Sequence, residues 1–184
     1  MTHKFWEYKD IVPDNLFMLI KSFKNGFRFN LLLQMLSRGS LSLTKIGALT
    51  GKDNGYILSH IKKMEIAGAV QNYIKRTEDT REYSFYKITP FCETILTNVI
   101  DAYTSYLEDI VLQDYGALLN SPTCGQVRNF FDSISNTFRI TLVYYLIDKN
   151  ELSFSQIVTL SKKTKSSVAK HLKKLELAGI IQNF

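Results

Sequence analysis

The sequence predicts a mostly helical α+β fold with one small β-hairpin, in which two copies of one unit are joined by a long helix. Three observations lead to this prediction. Residues 15–73 align with residues 126–184 without a gap. Each copy holds two helical segments separated by a short polar turn, and the first copy continues into a segment rich in Tyr, Ile, Phe and Val. With 184 residues, 45% of them hydrophobic, the chain can bury a core without disulfides or metals.

The alignment of the two copies keeps one register throughout. The segment EIAGAVQNY at 65–73 lies over ELAGIIQNF at 176–184, and HIKKM at 60–64 lies over HLKKL at 171–175. Two basic helices that resembled each other by chance would not keep that register through the whole alignment. We therefore interpret the chain as an internal duplication, because self-similarity at a fixed offset is typical of repeated domains.

Each unit is predicted to contain four helices in the same order. The two opening helices are apolar, the third is short, and the fourth is long and basic. The longer helix begins at Asp53 or Thr164, which are good N-caps, and ends at Gly68 or Gly179, which fit just beyond a helix end. The predicted bounds are 15–24, 27–36, 44–49 and 53–67 in the first unit, and 126–135, 137–147, 153–160 and 164–178 in the second.

The last two helices of each unit form a helix-turn-helix pattern, because a three-residue polar turn joins them and the second helix has one buried face. In the second unit Val168, Leu172 and Leu175 mark that face. A brief strand is predicted at 41–43. Beyond Gly68 the pattern changes to two strands, 70–75 and 82–89, which read as a hairpin. A helix-turn-helix followed by a hairpin is a winged helix.

After the hairpin, Pro90 opens a long helix predicted over 91–119. Its apolar residues form a stripe that is broad enough to pack against a partner as well as against its own domain. The residues of the stripe are Phe91, Ile95, Val99, Tyr103, Leu107, Ile110 and Val111.

The segment TKSSVAKHLKKLELAGI at 164–180 resembles the recognition helix of ArsR- and MarR-like regulators of bacteria and archaea, and YKIT at 86–89 is similar to the strand that closes their wing. The resemblance implies tandem winged helices that bind DNA. Metal-sensing ArsR members carry a Cys pair on the helix before the recognition helix. Residues 46–49 and 157–160 contain no Cys, so we expect no metal site and no cofactor.

We expect two domains. The first, 1–119, holds a complete winged helix-turn-helix with its hairpin wing at 70–89 and the long helix. The second, 120–184, holds the other helix-turn-helix unit, with its wing missing or truncated.

Charge is distributed unevenly along the chain. The formal charge is +6, but residues 27–89 carry ten basic and five acidic groups, residues 139–184 carry eight and three, and residues 90–138 carry one and six. Positive charge therefore lies in the two helix-turn-helix units. A basic helix of this size fits the major groove and the phosphates beside it. The competing interpretation is a solvated lysine face.

The candidate DNA-binding residues lie on the two recognition helices, on the turns before them and in the wing loop. We expect the candidates in the N-terminal half of the second unit's recognition helix to face base edges. The lysines that flank them are better suited to phosphates. The first-unit candidates are Lys52, Asn54, Tyr56, Ser59, His60, Lys63, Arg76 and Arg81. The second-unit candidates are Lys162, Lys163, Lys165, Ser166, Lys170, His171 and Lys174.

Other side chains have simpler interpretations. His60 and His171 occupy equivalent positions and lack neighbouring ligands at metal spacing, so we expect each ring to pack and to donate to a phosphate. Cys92 and Cys124 are better explained as small packing residues than as a redox switch. No catalytic motif is present, and we expect no enzyme activity.

The predicted function is a transcriptional regulator that binds double-stranded DNA with recognition helices 53–67 and 164–178 in the major groove. The alternative is a tandem winged-helix scaffold for protein interactions in a chromosome-segregation, replication or transcription complex. A homodimer through helix 91–119 is a further expectation. No apolar run is long enough to span a bilayer, so we expect no membrane partner and a cytoplasmic, nucleoid-associated protein.

Overall fold

A computed structural model of the chain describes residues 12–76, 82–106 and 115–182. The described part is mostly helical, with one small antiparallel sheet. The first unit contains α1 (Asp14–Lys24), α2 (Gly26–Arg38), β1 (Leu41–Ser42), α3 (Leu43–Thr50), α4 (Asn54–Ile66), β2 (Val70–Arg76), β3 (Glu82–Ile88) and α5 (Pro90–Tyr106). The second unit contains a 3-10 helix (Ala117–Asn120), α6 (Pro122–Ile134), α7 (Thr137–Lys149), α8 (Phe154–Ser161) and α9 (Lys165–Leu177).

Local capping explains where the helices begin. The Asp53 side chain accepts a hydrogen bond from the backbone N–H of Tyr56, and Thr164 accepts one from Ser167 in the same way. Asn25 and Asn136 cap α2 and α7 through the equivalent bonds. These side chains satisfy amide groups that have no partner within the helix, and they fix the first turn. The predicted starts of the recognition helices are therefore correct to one residue.

The sheet has the strand order β1-β3-β2, with both pairs antiparallel. Val70 lies opposite Ile88 at one end of the hairpin and Arg76 lies opposite Glu82 at the other. Leu41 of β1 pairs with Tyr86. This is the predicted wing, and with α3 and α4 it makes a winged helix-turn-helix. Residues 152–153 align with β1 but form no strand, since the second unit offers no β3 within residues 115–182.

The helix predicted over 91–119 does not reach its predicted end. Within the described residues α5 runs over Pro90–Tyr106, residues 115–116 form a turn, and Ala117–Asn120 form a 3-10 helix. Leu107, Ile110 and Val111 of the predicted stripe lie outside the described residues. The predicted face is also rotated, because Phe91 is 53% exposed while Cys92, Leu96 and Ile100 are fully buried. Thr89 stabilises the start of α5. Its hydroxyl donates to the backbone oxygen of Gly68 at 2.6 Å and accepts a hydrogen bond from the backbone N–H of Cys92.

The larger hydrophobic core crosses the boundary between the units. The Phe131 ring of α6 lies 4.3 Å from the Phe23 ring of α1, centroid to centroid, and Val127 lies in the same cluster. A second, smaller cluster holds α7, α8 and α9 together around Leu142, Val168 and Leu175. The first helix of the second unit is thus part of the first unit's core. None of the described helices is long and apolar enough to span a membrane.

Candidate nucleic-acid interface

The second recognition helix, α9, is anchored at its C-terminal half and open at its N-terminal half. Ser133 of α6 donates through its hydroxyl to the oxygen of Lys174 at 3.1 Å, and the phenol of Tyr103 on α5 donates to the oxygen of Ala178 at 2.8 Å. Lys165, Ser166 and Lys170 are exposed at the other end. Hydrogen bonds from α5 and α6 therefore hold the C-terminal end of the helix, and its N-terminal half presents these three polar side chains to solvent.

The turn before α9 adds two more lysines to the same end. Lys162 is exposed and has φ 51°, a left-handed backbone that glycine adopts more readily. Its counterpart in the first unit is Gly51, with φ 65°. Lys163 is half-buried, and its Nζ lies 5.1 Å from the centroid of the Phe138 ring. The predicted lysines of the turn and of the N-terminal half of α9 are close together in the chain, and we call them the lysine surface: Lys162, Lys163, Lys165 and Lys170.

Lys174 belongs to a different environment. Its Nζ lies 3.6 Å from Oδ2 of Asp132, and Lys24 of α1 lies 2.9 Å from Oδ1 of the same carboxylate. Burial opposes ionisation of Asp132, but the contact with Lys24 and the charges of Lys174 and Arg139 outweigh it and lower the pKa of that carboxyl. The structure therefore places Lys174 in an intramolecular ion pair, apart from the lysine surface.

The first unit presents fewer charges. Lys52, Asn54 and Ser59 are exposed, but the Ser59 hydroxyl already donates to the oxygen of Tyr56 at 2.8 Å. The Tyr56 ring packs edge-on against Phe27, with 5.0 Å between the ring centroids. Tyr56 is therefore positioned as much by packing as by any polar role.

The remaining first-unit candidates divide between the wing and a pocket beside α1. In the wing, Nε of Arg76 lies 2.9 Å from Oε1 of Glu82, across the last strand pair before the loop. Arg81 lies outside the described residues. Lys63 lines a pocket against α1, together with Lys21 and Arg28. Among these three candidates, therefore, the structure places Arg76 in an ion pair and Lys63 at the edge of a pocket.

The two predicted histidines point toward the opening helices of their units. The His60 ring lies 4.8 Å from the ring of Phe27, and the His171 ring lies 4.7 Å from the ring of Phe138. Burial, followed by the charges of Arg28 and Lys63, lowers the pKa of His60. The pKa of His171 is lowered by burial and then by Arg139, Lys163 and Lys174. The predicted ring packing is confirmed, and both side chains favour the neutral form.

Arg28 and Arg139 were missed as site residues, although the pairs Phe27-Arg28 and Phe138-Arg139 recur at the same offset. Each guanidinium donates to carbonyl oxygens at the end of the preceding helix: Arg28 to Lys21 and Ser22, Arg139 to Asp132 and Ser133. Arginine at a helix C-terminus also complements the helix dipole. These arginines thus link the first helix of each unit to the second.

Arg139 also contacts the histidine of its unit. Its Nη1 lies 3.5 Å from Nδ1 of His171. Because a guanidinium can only donate, this contact favours the tautomer in which Nδ1 accepts and Nε2 carries the ring proton. That N–H is the donor that the prediction of a phosphate contact requires.

No group of three or more His, Cys, Asp or Glu side chains in the described ranges could hold a metal ion. Cys92 is buried and Cys124 is half-buried, and both are free thiols whose pKa is raised by burial.

Comparison with known families identifies the second unit. Residues 138–183, from the start of α7 to the end of the aligned repeat, match the family model of bacterial regulatory proteins of the arsR family. The second unit contains an ArsR-type helix-turn-helix. The predicted resemblance is confirmed for this segment, and so is the predicted class of protein, a helix-turn-helix regulator and not an enzyme. The ArsR-type match contains every residue of the lysine surface.

No curated protein matches the chain in sequence. Among solved structures, Bacillus subtilis PadR in complex with operator DNA is similar at a TM-score of 0.33 and 14% identity, over 83% of this chain and 98% of that one. A TM-score of this size does not establish a common fold, and it bears on no conclusion about this chain.

Proposed function

We propose that this chain is a transcriptional regulator that binds double-stranded DNA through its helix-turn-helix units, with α9 as the principal recognition helix in the major groove. The observation that carries this proposal is the combination of an ArsR-type helix-turn-helix with the open, lysine-rich end of α9. In helix-turn-helix proteins the N-terminal residues of the recognition helix contact base edges. On α9 that half carries the exposed Lys165, Ser166 and Lys170, and backbone oxygens at the other end accept hydrogen bonds from α5 and α6.

The roles of the individual residues follow from their exposure. Lys165, Ser166 and Lys170 are placed for base edges and nearby phosphates. Lys162 and Lys163 precede the helix and suit the phosphate backbone, since a lysine head is a point charge on a flexible stem. The Nε2–H of His171 is a further phosphate donor. Lys174 contributes less, because its charge is partly offset by the nearby carboxylate of Asp132.

The first unit binds DNA more weakly than the second unit does, and it has a complete wing. Lys52 in the turn before α4 would meet the duplex together with Asn54, Tyr56 and Ser59 on the helix, and His60 lies behind them. Arg76 and Arg81 of the wing would reach a flanking groove or backbone. Lys63 is the least favourable of the first-unit candidates, because it faces α1.

The organisation of the chain is part of the proposal. We infer an internal duplication with domains at 1–119 and 120–184. Support comes from the gap-free alignment and from shared details of the two units, including the Asn25 and Asn136 caps and the Arg28 and Arg139 bonds. Two such units in one chain can read two half-sites, as the halves of a dimer do. A cytoplasmic, nucleoid-associated location follows from the same proposal. A homodimer through residues 91–119 stays a prediction.

The experiment that tests the proposal is a titration of duplex DNA, followed by fluorescence anisotropy over a series of salt concentrations. We compare the wild type with a Lys165→Ala/Lys170→Ala variant. The matched control, Lys45→Ala/Lys173→Ala, removes two charges elsewhere, one on α3 and one that pairs with Glu176. We expect affinity to fall with salt, and the slope of log K against log salt to drop by about two in the variant alone.

Two results would overturn the proposal. One is the absence of binding at about 50 mM salt, where non-specific affinity is strong for any basic DNA-binding domain. The other is an equal loss in the variant and in the control. Either result would favour the scaffold function, in which the lysine surface meets a protein partner.

A further inference from the structure

The first unit contains a pocket that is lined by three cationic side chains. The pocket lies between α1, α2 and the C-terminal half of α4, with a volume of about 270 Å³. Three of its lining side chains are cationic and none is acidic. The lining residues are Met18, Lys21, Ser22, Arg28, Lys63 and Ile66.

In the second unit, the equivalent positions contain a carboxylate beside two cations. The residues 111 positions after Lys21, Arg28 and Lys63 are Asp132, Arg139 and Lys174. There the carboxylate of Asp132 lies 3.6 Å from Lys174 and 2.9 Å from Lys24, and its pKa is lowered despite burial. The second unit thus carries its own anion among these cations.

In the first unit the anion is replaced by a third cation. Lys21 stands where Asp132 stands in the second unit, and its Nζ lies 4.3 Å above the centroid of the Phe17 ring. Arg28 is held in place by its bonds to the oxygens of Lys21 and Ser22. Like charges gathered around one pocket repel each other, and an anion bound among them relieves that repulsion.

His60 lies near the same cations, and its Nδ1 is buried without a hydrogen-bond partner among the described residues. Its pKa is lowered by burial and then by the charges of Arg28 and Lys63. Met18 and Ile66 give the rim an apolar part, and they are 42% and 69% exposed. An anionic head beside a short apolar group would complement both parts.

We propose that this pocket binds a small organic anion, with a phosphate or carboxylate group held between Lys21, Arg28 and Lys63. The ligand would take the place that the Asp132 carboxylate takes in the second unit. Because Lys63 lies on α4 and Lys21 on α1, such a ligand would connect the first recognition helix to the opening helix of the same unit.

The test is an NMR titration of the full chain, without DNA, against inorganic phosphate and separately against butyrate. Sodium chloride keeps the ionic strength constant, so that general screening is the same at every point. We expect amide shifts centred on residues 21, 22, 28 and 63. Saturation by phosphate or by butyrate alone would identify which of the two anionic groups the pocket prefers.

The decisive variant is Lys21→Asp, which gives the first unit the residue that the second unit has. We expect its affinity for the anion to fall at least about tenfold, since attraction becomes repulsion at one of three cations. The matched control is Lys45→Asp, the same charge change at an exposed site on α3, and it should bind as the wild type does. If Lys21→Asp did not fold, Lys63→Gln would serve instead, with a smaller loss.

Three results would overturn the proposal: no saturable shift with either anion, shifts centred elsewhere, or equal binding by Lys21→Asp and the wild type. Because no DNA is present, the outcome is separate from the test of the regulator.

Discussion

The phenol of Tyr103 donates a hydrogen bond to the backbone oxygen of Ala178 across 2.8 Å, and this bond joins α5 of the first unit to the end of α9 in the second. Ala178 is buried, and burial also raises the pKa of Tyr103, so the bond forms largely out of water. The proposed recognition helix is therefore fixed by a residue 75 positions away in the chain.

Replacing Tyr103 with Phe should lower the free energy of unfolding by about 1 kcal/mol, since a buried carbonyl loses its donor. The matched control is Tyr83→Phe on β3, where the side chain is 41% exposed, and it should stay within about 0.5 kcal/mol of the wild type. Urea denaturation measures both variants. Equal stability of the two would show that the bond to Ala178 does not anchor α9.

Phe131→Ala should be the most destabilising of the changes considered, at about 3–5 kcal/mol, because it empties a site in a buried core. Phe131 is 1% exposed, and its ring contacts Phe23 of the other unit. The control is Phe154→Ala on α8, which is 41% exposed and should cost under about 1 kcal/mol. A cost for Phe131→Ala no larger than the control's would indicate that the units do not share a core.

Lys162→Gly should stabilise the protein by about 0.5–1 kcal/mol, because a left-handed backbone costs an L-residue about 1–2 kcal/mol and glycine offsets part of that gain by its flexibility. The reciprocal change is Gly51→Ala. No atom lies within 4 Å of the added Cβ there, so its expected cost of about 1 kcal/mol arises from φ alone. Thermal unfolding of the Lys162→Gly and Gly51→Ala variants measures both expected changes in stability. A stabilising Gly51→Ala would contradict the assigned backbone.

The histidines should make stability depend on pH near neutrality. His60 and His171 have pKa values lowered by burial and by the neighbouring cations, so the unfolded chain binds their protons more readily than the folded one does. Their contribution is present above the unfolded pKa of about 6.5 and is lost as the pH falls through the folded pKa. Denaturation at about pH 7.5 and pH 5.5, where carboxyl groups stay ionised, measures the loss.

The control for the pH experiment is the His60→Gln/His171→Gln variant, whose stability should change less between the same two pH values. An unchanged pH dependence in that variant would mean that other groups titrate. NMR titration of the two ring signals gives an independent check, because both pKa values should lie below about 6.5.

Much of the fold follows from local sequence. Asp53, Thr164 and the glycines after each recognition helix fix those helices through contacts with adjacent residues, and the predicted bounds agree with the structure to about one residue. The hairpin follows in the same way from its run of β-branched and aromatic residues. Such features are predictable because the interactions that stabilise them lie close together in the chain.

The buried face of α5 could not be predicted in this way. Both possible stripes on that helix are apolar, one through Phe91 and Ile95 and the other through Cys92 and Leu96. Tertiary packing selects the second, since Cys92 and Leu96 are fully buried. The sequence pattern therefore establishes that the helix is amphipathic but leaves its rotation to the rest of the core.

For the candidate site, the sequence predicted which residues are exposed better than it predicted which residues they contact. The exposure of the lysines near the start of α9 follows from the helix period alone. The pairing of Lys174 with Asp132, 42 positions apart, depends on how α6 packs against α9. The same holds for Lys63 and its pocket. Periodicity indicates which side chains leave a helix surface, but not which of them meet another element.

The most direct measurement of the central claim is photocrosslinking to duplex DNA from single sites on α9. A photoreactive phenylalanine derivative at Ala169, which is exposed among the lysines, should crosslink to the duplex. The same group at Leu177, which is 73% exposed at the anchored end, should not. Crosslinks at 177 but not 169, or at neither position under conditions that saturate binding, would contradict α9 as the helix that reads DNA.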